Sequence, residues 1–178
     1  LFEFEKQVNW FSKMIYDTIK KGGKVFLCGN GGSAAIANHY LADYTKFLST
    51  NTQLKPKINS LLNVELLTAI SNDINFNQIF SYQLEKYANK DDLLILISSS
   101  GNSKNLKNAL KTAKKKKIKI VSFVGFNGGF VGKNSTLTIH NKINNYGISE
   151  DLAHILMHII AQFIRQKNLR NNIKKVKF

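Results

Sequence analysis

The side chains best suited to proton transfer or metal binding fall in two short runs. His39 and Asp43 stand four residues apart, and Glu150, His154 and His158 repeat that interval, with Asp151 one position round. On a helix, residues four apart leave the same face about one turn from each other. A histidine and a carboxylate from each of two helices could converge as a divalent metal site or as an acid–base pair; the same spacing also makes ordinary salt bridges and satisfied core histidines. Two further runs suit an anion. Gly29-Asn30-Gly31-Gly32-Ser33 permits positive φ and close approach of backbone to a ligand. Ser98-Ser99-Ser100-Gly101-Asn102-Ser103 offers four hydroxyls in six residues, with Ser103 placed to cap a following helix.

These groups need a scaffold that brings loops and helices together. Apolar residues near a 3.6-residue period predict a first helix over 2–21, ending at Lys21-Gly22-Gly23. A short apolar strand over 24–28 runs directly into the glycine loop, and an Ala-rich helix is expected from about Ala34 to Lys46. The polar stretch 49–57 holds the only proline, Pro56, and reads as a connection. A strand near 58–62 and helices around 64–70 and 76–88 follow. Leu93–Ile97 is a continuous apolar run, as in strands covered on both faces, and it ends in the serine loop. A lysine-studded helix, a strand over 118–124, the loop 125–129, a strand near 137–140 and a helix over about 148–167 complete the order. The polar, basic tail 168–178 is expected to fray. Strands alternating with helices give an α/β fold with a parallel sheet between helices. In such sheets ligands bind beyond the carboxyl ends of the strands, where the next helix points unpaired amides. Both loops occupy that position and together point to one small phosphorylated ligand. The glycine loop lacks the Lys-Ser/Thr of a nucleotide-triphosphate loop and the Gly-x-Gly-x-x-Gly of a dinucleotide site, which disfavours ATP and NAD.

The composition narrows the class. The chain has 178 residues, 43% of them apolar, and 26 Lys or Arg against 11 Asp or Glu give a formal charge of +15. A chain of that size builds a core without metal or disulfide, and one domain over 1–178 is expected. The basic balance invites nucleic acid, yet only two of the 26 cations are Arg, the better reader of bases and phosphates. The densest lysine run, through Lys104, Lys107, Lys111 and Lys114–Lys117, recurs at helical spacing and reads as a solvated helix face. No nucleic-acid partner is expected; a mild attraction for anionic small molecules remains. The lone cysteine, Cys28, cannot pair within the chain and reads as a small packed residue. No run reaches the ~18 apolar residues of a membrane span, and the first residues lack the features of a secretory leader, so a cytoplasmic protein is expected.

Taken together, Cys28-Gly29-Asn30-Gly31-Gly32-Ser33-Ala34-Ala35, Ser71-Asn72-Asp73, Ile97-Ser98-Ser99-Ser100-Gly101-Asn102-Ser103 and the histidine-bearing last helix resemble the sugar isomerase (SIS) domain family, and within it the phosphoheptose isomerases. The resemblance runs over nearly the whole chain. It implies a three-layer sandwich, flavodoxin-like or Rossmann-like, with a five-stranded parallel sheet flanked by helices, and a homotetramer with active sites at subunit interfaces. The activity implied is aldose–ketose isomerisation of sedoheptulose 7-phosphate to D-glycero-D-manno-heptose 7-phosphate, the first step toward nucleotide-activated heptose for lipopolysaccharide or capsule. By resemblance the sugar phosphate lies on Ser98, Ser100 and Ser103, with Asn30, Ser33 and Asp73 near the sugar, and Gly31, Gly32 and Ser99 belong to the same substrate site. Asp43 is then the base, His158 the second acid–base group, and His39, Asp43, Glu150 and His158 the ligands of zinc or another divalent metal. Two positions depart from the family: Asp43 stands where members usually carry Glu, and Glu150 where they usually carry Gln, with Asp151 beside it as a competing ligand. Two other readings follow from the same resemblance. One is a non-catalytic tetramer that binds a protein partner such as the replication initiator. The other is an isomerase of a different sugar phosphate, such as arabinose 5-phosphate.

Overall fold

The computed structural model describes residues 2–169, with side chains from Glu5 onward. The sequence-predicted tail 168–178 therefore lies outside the described residues from 170 on. In chain order the elements are α1 (Phe2–Lys20), β1 (Lys24–Cys28), α2 (Gly32–Ala42), β2 (Lys57–Ser60), α3 (Val64–Asp73), α4 (Ser81–Tyr87), β3 (Leu93–Ser98), α5 (Lys104–Lys115), β4 (Lys119–Val124), α6 (Gly129–Asn134), β5 (Leu137–His140) and α7 (Tyr146–Lys167). The five strands form one parallel sheet in the order β2-β1-β3-β4-β5. All six residues of β3 are buried, as its unbroken apolar run requires. β1 is its neighbour, with Val25 opposite Leu93 and Cys28 opposite Leu96.

That order reverses between β1 and β3. After β1 the chain moves outward to β2; it then returns to β3 and proceeds the other way to β5. At such a switch point the loops leaving the two central strands diverge to opposite sides and open a crevice between them. Here they are the glycine loop and the serine loop. Their approach is close: a Cβ on Gly29 would come within 2.9 Å of the Ile97 carbonyl oxygen.

The helices follow the patterns that predict them. α5 buries Leu106, Ala109, Leu110 and Ala113 and turns its lysines outward. Asn63 and Asn145 cap α3 and α7 by accepting the backbone N–H groups of Leu66 and Ile148. α7 packs against both α1 and α2. The buried carboxylate of Asp92 joins the start of β1 to the turn before β3, accepting the N–H groups of Lys24 and Asn89 at 2.7 Å each.

Three local features differ from the sequence-based expectation. The helix expected to reach Lys46 leaves α geometry at Asp43 and continues as a π turn over Asp43–Phe47. Tyr40 and Tyr44 are both fully buried on either side of that change, Tyr40 bonded to the His154 carbonyl and Tyr44 to Met157 Sδ. The helix expected over 76–88 is split into a 3-10 turn at Phe76–Gln78 and α4, because Gln83 is drawn into the core to donate to the carbonyls of Leu61 and Ile79. The loop after β4 leads into a short helix, α6, whose entry is wedged against the serine loop. There Gly101 has φ +63°, and a Cβ on it would collide with the Gly128 carbonyl and lie 3.2 Å from Gly129 Cα. Gly101→Ala combines a left-handed backbone with that collision, so a loss of about 2 kcal/mol is expected. Differential scanning calorimetry at fixed protein concentration should show the unfolding midpoint falling by about 4–8 °C.

Candidate active site

The serine and glycine loops and the start of α7 enclose a cavity of about 280 Å³, lined by Asn30–Ser33, Ile97–Ser100, Ser103, Tyr146 and Glu150. It opens at the N-termini of α2 and α5, where unpaired backbone N–H groups favour an anion. Of the eight sequence-predicted loop residues, all line this cavity. Their hydroxyls are differently employed. Ser98 Oγ accepts the Gly101 N–H at 3.1 Å and Ser100 Oγ accepts that of Asn102 at 3.3 Å, so both help shape the loop. Ser103 sits at the N-cap of α5, but its side chain makes no capping hydrogen bond, contrary to the sequence-based expectation. The residue lines the cavity.

The two loops are tied by an amide pair. Asn30 Nδ2 donates to Asn105 Oδ1 at 3.0 Å, and Asn105 Nδ2 donates back to Asn30 Oδ1 at 2.8 Å. Asn105 is buried on the first turn of α5 and carries no sequence signal beyond its type. Asn30 thus braces the loops as well as lining the cavity. Asp73 lies elsewhere: it ends α3, is exposed, accepts an amide hydrogen bond from Asn72 at 2.8 Å, and does not line the cavity.

A second cluster sits farther along α2 and α7. Asp43 Oδ2 lies 3.4 Å from His39 Nε2 and 3.2 Å from His158 Nε2, and the two imidazole nitrogens are 3.2 Å apart. His154 joins them. One ring nitrogen from each of His39, His154 and His158 lies within 4.8 Å of the other two, and the His154 and His158 rings stack at 4.9 Å. The spacing of His154 was legible in the sequence, but its convergence with His39 depends on how α7 packs on α2. Glu150, one turn earlier on α7, points the other way along the helix face. Its Oε1 accepts from Ser33 Oγ at 3.1 Å, and its carboxylate fills the space a side chain at Gly32 would need.

The cluster suits a metal ion by its donor chemistry. Tetrahedral zinc with nitrogen or oxygen bonds of about 2.0–2.1 Å sets neighbouring donors roughly 3.3 Å apart. The three sides of the Asp43–His39–His158 triangle match that separation. His154 Nε2 is buried without a hydrogen-bond partner among the described residues. His39 and His158 are about half exposed, at 46% and 48% of their side-chain surface, so the cluster is reachable from outside. Burial first, then the charges of His39 and His158, hold the His154 imidazole below its ordinary value of 6.5, against a weaker pull from Asp43 and Asp151. Burial also pushes the Cys28 thiol far up, in keeping with a packed, unreactive residue.

The chain is similar to known proteins over most of its length. The SIS domain profile matches residues 3–125. The phosphoheptose isomerase of Campylobacter concisus is 42% identical over 152 residues, covering 85% of this chain and 80% of that protein. That of Aliarcobacter butzleri is 38% identical over 153 residues, covering 86% and 81%. Among solved structures, the phosphoheptose isomerase of Neisseria gonorrhoeae superposes with a TM-score of 0.83 at 27% identity, over 90% of this chain and 86% of that one.

The His154 shift has a defined sign. The unfolded imidazole takes its proton at a higher pH than the folded one, so this group's contribution to stability is full above about pH 6.5 and falls as the pH drops through that value. In chelator-treated protein, the unfolding midpoint should fall between about pH 7.5 and pH 5, and His154→Phe should flatten that fall in a thermal-melt series.

The cavity at the sheet's switch point, the fold and the extent of these likenesses agree: the chain belongs to the SIS domain family and, within it, to the phosphoheptose isomerases.

Proposed function

We propose that this protein is an aldose–ketose isomerase that converts sedoheptulose 7-phosphate to D-glycero-D-manno-heptose 7-phosphate. The observation that carries the reading is the pairing of an anion cavity with a carboxylate–imidazole triangle on the same two helices. The phosphate would lie at the N-termini of α2 and α5, against Ser33, Ser98, Ser99, Ser100 and Ser103 and the Asn30–Gly32 backbone. The sugar chain would then run along α2 and α7 toward Asp43.

Isomerisation moves one hydrogen between adjacent carbons and one between their oxygens. Asp43 takes the proton from C1 of the ketose, leaving a cis-enediol, and returns it to C2. Its Oδ2 faces both imidazoles, which assigns the proton transfer to Oδ1. His158 carries the proton from O1 to O2; an imidazole near neutrality both gives and takes. Asp43 is one methylene shorter than the glutamate usual in the family. The π turn that begins at this residue changes where its side chain leaves the helix, at the position where reach is short.

A divalent ion, zinc in this reading, would be held by His39, Asp43 and His158, and would supply Lewis acidity toward the carbonyl oxygen. A coordinated ring nitrogen cannot carry a proton, so His158 Nε2, the nitrogen that faces Asp43, would not serve both roles at any one moment. We further take the protein to be a cytoplasmic homotetramer. Exposed apolar side chains on two helices, Trp10 on α1 and Ile148, Ile155 and Ile159 on α7, support an oligomer, and sites at its interfaces would give the exposed Asp73 access to a sugar. No helix among the described residues is long and apolar enough to cross a membrane. The aldoheptose phosphate would enter the synthesis of nucleotide-activated heptose for lipopolysaccharide or capsule.

The test is incubation with sedoheptulose 7-phosphate in deuterated buffer, followed by NMR with and without zinc. Aldoheptose carrying deuterium at C2 is the expected product; an unchanged sugar counts against the reading. Asp43→Asn and His158→Ala should each lower turnover by at least ~100-fold while circular dichroism stays native. Ser100→Ala and Ser103→Ala should chiefly raise KM, by roughly 10-fold for each lost charge-assisted hydrogen bond.

A further inference from the structure

We propose that the metal centre of this protein is completed by His154 and that Glu150 is not one of its ligands, so that the donor set is His39, Asp43, His154 and His158. The inference rests on the reading of the cluster as a divalent metal site and changes which residues build it.

Helix geometry favours His154. His154 and His158 are separated by one turn of α7, roughly 6 Å along the axis, whereas Glu150 and His158 are separated by two turns, roughly 12 Å. Residues at 154 and 158 can meet one ion with ordinary side-chain extension. The pair 150 and 158 must lean toward each other along the helix to do so. Glu150 does not lean that way: its carboxylate accepts the Ser33 hydroxyl and fills the space above Gly32, at the lip of the anion cavity.

The environment of His154 points the same way. Its ring lies 4.7 Å from that of His39 and 4.9 Å from that of His158, centroid to centroid, and one nitrogen of each forms the compact trio. His154 Nε2 is buried and has no hydrogen-bond partner among the described residues. A buried polar atom left unpaired destabilises the fold, and coordination would satisfy it. The resulting set of three imidazoles and one carboxylate leaves a dication with a net positive charge, and its nitrogen-rich character selects zinc or cobalt over magnesium or calcium.

A packing role for His154 makes a different prediction, because phenylalanine keeps the stacked ring and loses only the nitrogens. The full-length protein, stripped with chelator, is titrated with cobalt(II) alone and then with zinc in competition, following the visible cobalt bands. The same is done for His154→Phe and Glu150→Gln. Wild type should bind one cobalt per chain with the intense bands of a four-coordinate site. His154→Phe should weaken binding by at least the ~10–100-fold that loss of a supporting partner causes, with a changed spectrum. Glu150→Gln should stay within about three-fold of wild type with the spectrum unchanged. A His154→Phe protein that binds cobalt as wild type does, or a Glu150→Gln protein that loses it, overturns the proposal. If His154→Phe does not fold, nitrogen-15 spectra of the wild-type histidine rings decide: zinc must shift the His154 ring, and an unshifted ring overturns the assignment. A wild type that binds no metal also overturns it, while turnover of the chelated protein, measured separately, still reports on the isomerase reading.

Discussion

The hydrogen-bonded pairing of β1 with β3 is the constraint on which the ligand-facing end of this molecule depends. These two strands are distant in sequence and adjacent in the sheet, and the chain leaves them in opposite senses. Because Cys28, the last residue of β1, lies opposite Leu96, two residues before the end of β3, the two following loops emerge side by side. Neither loop could surround an anion alone. Held together by the sheet below and the Asn30–Asn105 amide pair above, they form one concave surface backed by two helix N-termini.

The second half of the site is built by extension along helices. α2 starts in the glycine loop and carries His39 and Asp43 away from it, while α7 crosses with Glu150 at the cavity and His154 and His158 beyond. Two buried tyrosines hold these helices in register: Tyr40 against the His154 backbone and Tyr44 against Met157. The separation between anion cavity and imidazole cluster is therefore a property of rigid elements rather than of loops, which suits a reaction at the far end of a phosphorylated chain.

Much of this was legible in the sequence for identifiable reasons. Leu93–Ile97 is apolar at every position, which only a strand covered on both faces requires, and the glycine- and serine-rich runs directly follow apolar segments. The lysines of α5 repeat with the helical period because the opposite face is core. What escaped is set by contacts between distant segments. The π turn at Asp43 has no glycine or proline to announce it and accompanies the burial of Tyr40 and Tyr44. The break before α4 follows from Gln83 bonding across to Leu61, and the short α6 from its fit against Gly101. His154 has the right spacing to be noticed, but spacing along one helix does not reveal what the neighbouring helix presents to it.

The wide sequence separation of β1 and β3 also orders events during synthesis. Val25 can pair with Ile58 of β2 earlier in chain order but meets Leu93 only after the intervening elements exist, so the centre of the sheet closes late. The glycine loop waits for Ser103 to emerge before it has a facing wall, and His39 waits for His158. A nascent chain can thus hold most of its secondary structure while having no place for a ligand to settle. Stabilisation by substrate or metal is then available only to the finished fold, which leaves the emerging chain dependent on its apolar core alone.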